Sequence, residues 1–173
     1  MSGVTIWHLL SINAIKGFSM PIKLDAIDRR ILRALQRDGR LQNQELAKQV
    51  GLSPSPCLRR VRLLEEAGVI ERYVALVDPA KVALGLTLFV RVWLKRQDQE
   101  TTDEFVEAVR LLPEVVECHV MAGDCDLLLR VVAANLEAYR RFQIAHLTSL
   151  SVVQNVKTEV PMEKIKLTTE LPV

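Results

Sequence analysis

The chain is predicted to be α+β, with helices first and then the order βαββαβ, and three observations predict it. The stretch Leu41 to Ile70, LQNQELAKQVGLSPSPCLRRVRLLEEAGVI, carries apolar residues at helical spacing on both sides of a glycine. Leu86, Leu88, Val90, Val92 and Leu94 alternate with Thr87, Phe89, Arg91, Trp93 and Lys95, which is the period of a strand. Strand-like and helix-like segments then alternate to the C-terminus.

Taken in order, Leu24-Asp25-Ala26-Ile27-Asp28 opens a first helix. Asp25 is its cap, Ile27, Ile31, Leu32 and Leu35 face inward, and Asp38-Gly39 stops it. A second helix places Leu41, Leu46, Ala47 and Val50 on one face. Gly51 ends it, since glycine takes the left-handed conformation without a Cβ clash. Leu52 plugs the corner, Ser53 is the N-cap of a third helix, and Pro54 sits at its first position, where a missing N–H costs nothing. Leu58, Val61, Leu63 and Leu64 supply its buried side. This is a helix-turn-helix, and a DNA-binding protein is the leading reading. Ser53, Ser55 and Cys57 offer donors at the helix N-terminus, where the dipole favours phosphate. Arg59, Arg60 and Arg62 supply cations for phosphate or guanine edges, with pairing of Arg60 to Glu65 or Glu66 as the alternative. After Gly68, the run Val69 to Val77 reads as a strand or wing, ended by Asp78-Pro79.

In the second half, Thr101 and Glu104 form a capping box for a helix carrying Phe105, Ala108, Val109 and Leu112. Val115 to Met121 is a strand, Gly123-Asp124 a turn, Leu127 to Val132 a buried strand. Asn135 caps a helix through Tyr139, Phe142 and Leu147, and Val152 to Val160 closes the domain. The order is that of a ferredoxin-like domain. Helices then cover one face of the sheet only, and the other exposes Phe89 and Trp93, a patch suited to a homodimer of apposed sheets that presents two recognition helices to a twofold DNA site.

The segments LDAIDRRILRALQRDGR, ELAKQVGLSPSPCLRRVRLLEEAGVIERYVALVDP and MAGDCDLLLRV resemble the leucine-responsive regulator family, Lrp/AsnC, from about Lys23 to the C-terminus. The resemblance implies a transcription regulator for amino acid metabolism or transport, in which dimers assemble further, commonly into octamers, and wrap DNA. It also implies an amino acid pocket at the Gly-Asp-x-Asp turn, with Gly123, Asp124, Cys125 and Asp126 at the ligand and Val156 and Thr158 as lining residues. Cys125 stands where the family often has an aromatic residue, and Ser151-Val152 where Pro-Gly is common. An apolar amino acid, leucine or methionine, is the expected effector, because Met121, Leu127 and Val156 surround the turn.

Composition agrees with a globular chain: 49% hydrophobic, 25% charged, net charge +2. From Lys23 to Asp78 eleven basic residues face eight acidic ones, whereas from Pro79 onward eleven face thirteen, so the basic part carries the helix-turn-helix. The three cysteines, Cys57, Cys118 and Cys125, lack metal-ligand spacing and suit a reducing cytoplasm. No Walker loop, nucleophile elbow or paired-histidine motif is present, so no enzyme and no cofactor or metal is expected. No apolar run reaches the length of a membrane span. Two other readings stay open here: an architectural DNA-binding protein that senses nothing, and a small-molecule-binding enzyme domain using the acidic turn and His119. The expected domains are 21–78 for DNA binding and 79–173 for ligand sensing and oligomerisation. Residues 1–20 form an extension, with translation expected to start at Met20; the rival is an N-terminal arm aiding dimerisation.

Overall fold

The computed structural model describes residues 23–173, so the expectation for residues 1–20 lies outside the described residues. Two compact units emerge, one containing the described residues up to Ala75 together with Thr168–Val173, the other Leu76–Leu167. The last six residues thus belong with the helices, not with the sheet domain in which their sequence position places them.

The first unit holds α1 (Ala26–Arg37), α2 (Asn43–Val50) and α3 (Pro54–Glu66). Asp25 caps α1 by accepting from the N–H groups of Ile27 and Asp28, and the Asp28 carboxylate accepts in return from the Asp25 N–H, a reciprocal capping box. Gly51 ends α2 at φ 75°, a left-handed conformation that a side chain would strain. Ile31, Leu46, Ala47, Val50, Cys57 and Leu64 are buried together as this unit's core.

No strand forms over Val69 to Val77: these residues join no sheet, and Val74, Leu76 and Val77 are exposed. β-branched residues favour extended backbone, but a strand also needs a hydrogen-bonded partner, and these residues pair with no strand among the described residues. Tyr73 is held locally. Its hydroxyl donates to Glu65 at 2.9 Å, and burial together with that carboxylate pushes its pKa up to about 12.

The second unit contains β1 (Leu86–Leu94), α4 (Gln99–Arg110), β2 (Val115–Val120), β3 (Leu127–Ala133), α5 (Leu136–Phe142) with a π-turn over Gln143–Leu147, and β4 (Val153–Glu159). The strands form one antiparallel sheet in the order β2-β3-β1-β4. Helices α4 and α5 cover the face formed by Leu88, Val90 and Val92 of β1 with Leu127, Leu129 and Val131 of β3, all fully buried, and Phe105 and Leu147 complete that core. The ferredoxin-like α+β expectation holds. One cap differs: Asp98 opens α4, its carboxylate accepting from the Thr101 N–H at 2.9 Å, while Thr101 lies three residues inside and is buried. Hydrogen bonds from Thr101 hold the Asp98 carboxyl below its ordinary value.

Candidate DNA-binding and effector sites

The turn between α2 and α3 is closed by the Leu52 N–H donating to the Ala47 carbonyl at 2.9 Å. Asn43 ties the two helices, its amide donating to the Pro54 carbonyl at 2.8 Å. Ser53 occupies the N-cap of α3, yet its hydroxyl makes no capping bond; Pro54 and Pro56 carry no N–H and the Cys57 N–H donates to the Ser53 carbonyl, so the Ser53 hydroxyl and the Ser55 N–H are the first-turn donors left for an anion. Ser55, Arg59 and Arg62, spaced by four and three residues, lie exposed along one stripe of α3.

Two residues assigned to DNA by sequence do other work. Cys57 is fully buried, and the inward stripe of α3 is Cys57, Val61 and Leu64, whereas Leu58 and Leu63 are exposed at 39% and 53%. The thiol behaves as a small hydrophobe, and burial raises its pKa. Arg60 does not pair with Glu65 or Glu66: one guanidinium nitrogen donates at 2.7 Å to both Asp25 and Asp28. It therefore fastens α3 to the capped start of α1.

This arrangement has a pH signature. The Asp25 carboxyl is held below its ordinary 3.8 by the Asp28 N–H first, then by Arg60 and the Ile27 N–H. A carboxyl depressed in the folded state contributes stability that is present above the unfolded value and is lost as pH falls through the folded one. Lowering pH from 5 to below 3.8 is expected to lower the melting temperature of the wild type more than that of Asp25→Asn, and equal acid sensitivity of the two would refute the assignment.

On the sheet's helix-free face, a cavity of about 240 Å³ is lined by Phe89, Arg91, Met121, Gly123, Asp124, Cys125, Leu128 and Glu159. Arg91 bridges two acids, 3.6 Å from Asp124 and 3.4 Å from Glu159. The Trp93 indole N–H donates to the Asp124 carbonyl at 2.6 Å and sets the turn against β1. Gly123 is not at positive φ, and a Cβ there would meet nothing within 4 Å, so the fold of the chain itself does not demand glycine.

The other sequence-assigned residues separate from this group. Asp126 is committed to structure, its carboxylate accepting from the Leu94 N–H at 2.8 Å and the Gln97 amide at 2.9 Å. Val156 packs into the core beneath the opposite face, and the Thr158 hydroxyl bonds the buried Tyr139 hydroxyl, so neither lines the cavity. Side chains alternate along β4, and both residues carry the inward parity of their partners Val92 and Val90. Arg91 and Glu159 were missed. The signal was available in part, since Arg91 has the outward parity of Phe89; Glu159, on β4, is placed opposite Phe89 only by strand register.

A family model described as winged helix-turn-helix DNA-binding matches residues 24–71, and one for the Lrp/AsnC ligand binding domain matches residues 87–171. The leucine-responsive regulatory proteins of Klebsiella pneumoniae and Escherichia coli K12 are each 44% identical over 148 residues, 86% of this chain and 90% of theirs. The chain belongs to the Lrp/AsnC family. Among solved structures, a transcriptional regulator of Neisseria meningitidis in complex with L-methionine superposes at TM-score 0.83 with 42% identity, covering 86% of this chain and 96% of that one. An AsnC family regulator from Agrobacterium tumefaciens gives TM-score 0.82 and 46% identity, over 86% and 97%. The helix-turn-helix model spans α1 to α3 and the ligand-binding model runs from β1 past β4 to Leu171, and both matched families and relatives are regulators of transcription rather than enzymes. Among the described residues of this Lrp/AsnC chain, no helix is long and apolar enough to cross a membrane.

Proposed function

We propose that this Lrp/AsnC regulator binds duplex DNA through Ser53, Ser55, Arg59 and Arg62, and that an apolar amino acid, methionine or leucine, at the Gly123-Asp124 turn shifts its DNA affinity or assembly. The observation that carries the effector reading is the cavity, where Arg91, Asp124 and Glu159 stand beside Phe89, Met121 and Leu128. Charges of both signs match the carboxylate and ammonium of an amino acid, and the apolar wall matches its side chain. A glycine that its own chain does not require leaves room for an incoming group at Gly123. The structure of the Neisseria relative holds L-methionine, which makes methionine the first ligand to test.

The working form is a homodimer in the cytoplasm, apposed through the sheet face that carries Phe89, Trp93 and Leu128, and assembling further. Twofold symmetry then presents two α3 helices to a DNA site of matching symmetry. The targets are genes of amino acid metabolism or transport. A coupling of about 1–3 kcal/mol between effector and DNA suffices to change occupancy severalfold.

Calorimetry with L-methionine and L-leucine tests the effector reading. Binding to the wild type is expected, weakened by about 1.5–3 kcal/mol in Asp124→Asn, or roughly ten- to a hundredfold, through loss of a charge-assisted hydrogen bond. If neither amino acid gives heat or thermal stabilisation at millimolar concentration, the sensor reading falls and an architectural DNA-binding protein takes its place.

A further inference from the structure

The outward side of α1 carries Arg30, Arg33 and Arg37 in one stripe, all exposed, beside a groove of about 390 Å³ that also reaches Gln49 of α2. Arginines on a helix surface are ordinarily balanced by acids three or four residues away. Here the one acid within α1 is Asp28, taken by Arg60, while Asp38 at its C-cap lines the same groove and accepts from the Arg40 N–H. The acceptors that do reach the stripe come from the far end of the chain. Arg33 donates to the Val173 carbonyl at 3.2 Å, and Arg37 pairs with the Glu170 carboxylate at 3.0 Å. Between them the Gln36 amide grips the backbone of Leu171 at both ends, donating to its carbonyl at 3.2 Å and accepting from its N–H at 2.6 Å. Val173 packs against the core of the helical unit.

We propose that the arginine stripe of α1 is a second phosphate-binding surface, and that the segment Glu170–Val173 covers it as a competitor for DNA backbone. A carbonyl oxygen and a carboxylate occupy the donors of Arg33 and Arg37 as phosphate oxygens would. Such exposed pairs are weak in water, so a polyanion displaces them readily. The proposal rests on the reading that the helical unit binds DNA.

The test compares the full-length wild type, Glu170→Gln and a chain ending at Leu167, each with and without Arg33→Ala/Arg37→Ala, in salt titrations of binding to duplex DNA. Glu170→Gln removes the competing charge while keeping the Val173 packing, so it decides the matter should the shortened chain melt early. The expected result is tighter binding by Glu170→Gln and by the shortened chain. The log-log salt slope should steepen by about 0.9 for each phosphate gained, and the gain should vanish when Arg33 and Arg37 are also replaced. Affinity and slope equal to or below the wild type in Glu170→Gln, or a gain that survives loss of both arginines, would overturn the proposal. If no form binds any duplex, the DNA-binding reading falls and takes this proposal with it; binding with unchanged slopes removes the proposal alone.

Discussion

Replacing Arg59 and Arg62 together by alanine is expected to weaken binding to the preferred DNA site more than any other surface change in this protein. The two guanidinium groups lie exposed on the outer stripe of α3, while the inner stripe of Cys57, Val61 and Leu64 packs against the other helices. An arginine that grips guanine loses about 1–3 kcal/mol of discrimination when truncated, and one on phosphate lowers the salt slope by about 0.9 without changing sequence preference. Competition titrations at several salt concentrations separate the two roles. Arg60→Ala is the internal control. Its partners are Asp25 and Asp28 in the same chain, so it should lower the melting temperature while leaving the salt slope of the remaining folded protein unchanged. An Arg59/Arg62 variant with wild-type affinity would remove α3 from the interface.

The second large effect lies in the sheet unit. Phe105 is fully buried between α4 and the sheet, among Leu88, Val90, Leu129 and Val131. Phe105→Ala is expected to cost about 3–5 kcal/mol, from lost transfer free energy and the cavity left behind. That is a large fraction of the stability of a typical domain. The helical unit has its own core around Ile31, Leu46 and Cys57. Amide exchange in Phe105→Ala should therefore accelerate through β1, β3 and α4 and change little in α1 to α3. Uniform acceleration across both units would show that the cores do not behave independently.

Elements whose signals are local were legible in the sequence. Asp25 caps α1 because the acceptor lies two and three residues from its donors. Gly51 sits where a left-handed residue is needed, and the alternation of β1 gives the buried face directly. The structure departs from the sequence expectation where a neighbour outside the local window decides. Leu58 and Leu63 outrank Cys57 in hydrophobicity, yet the stripe that meets α1 and α2 runs through the thiol, a rotation that only the packing of three helices sets. Arg60 finds its acids 32 and 35 residues upstream, not on its own helix. Val156 looked like a lining residue from its position on the last strand, but the antiparallel register with Val92 points it inward, and the same register brings Glu159 to Arg91. The segment after β4 forms no helix or strand, and its contacts with α1 span more than 130 residues. The Val69 to Val77 run had strand composition without a strand partner, and composition alone does not supply one.

The most direct test of an effector-responsive DNA-binding regulator is selection of genomic fragments by the purified protein, run with and without L-methionine and L-leucine and read by sequencing. The account predicts enrichment of a few loci sharing a twofold motif, with occupancy shifted severalfold by at least one of the two amino acids. No enrichment in either arm would contradict it.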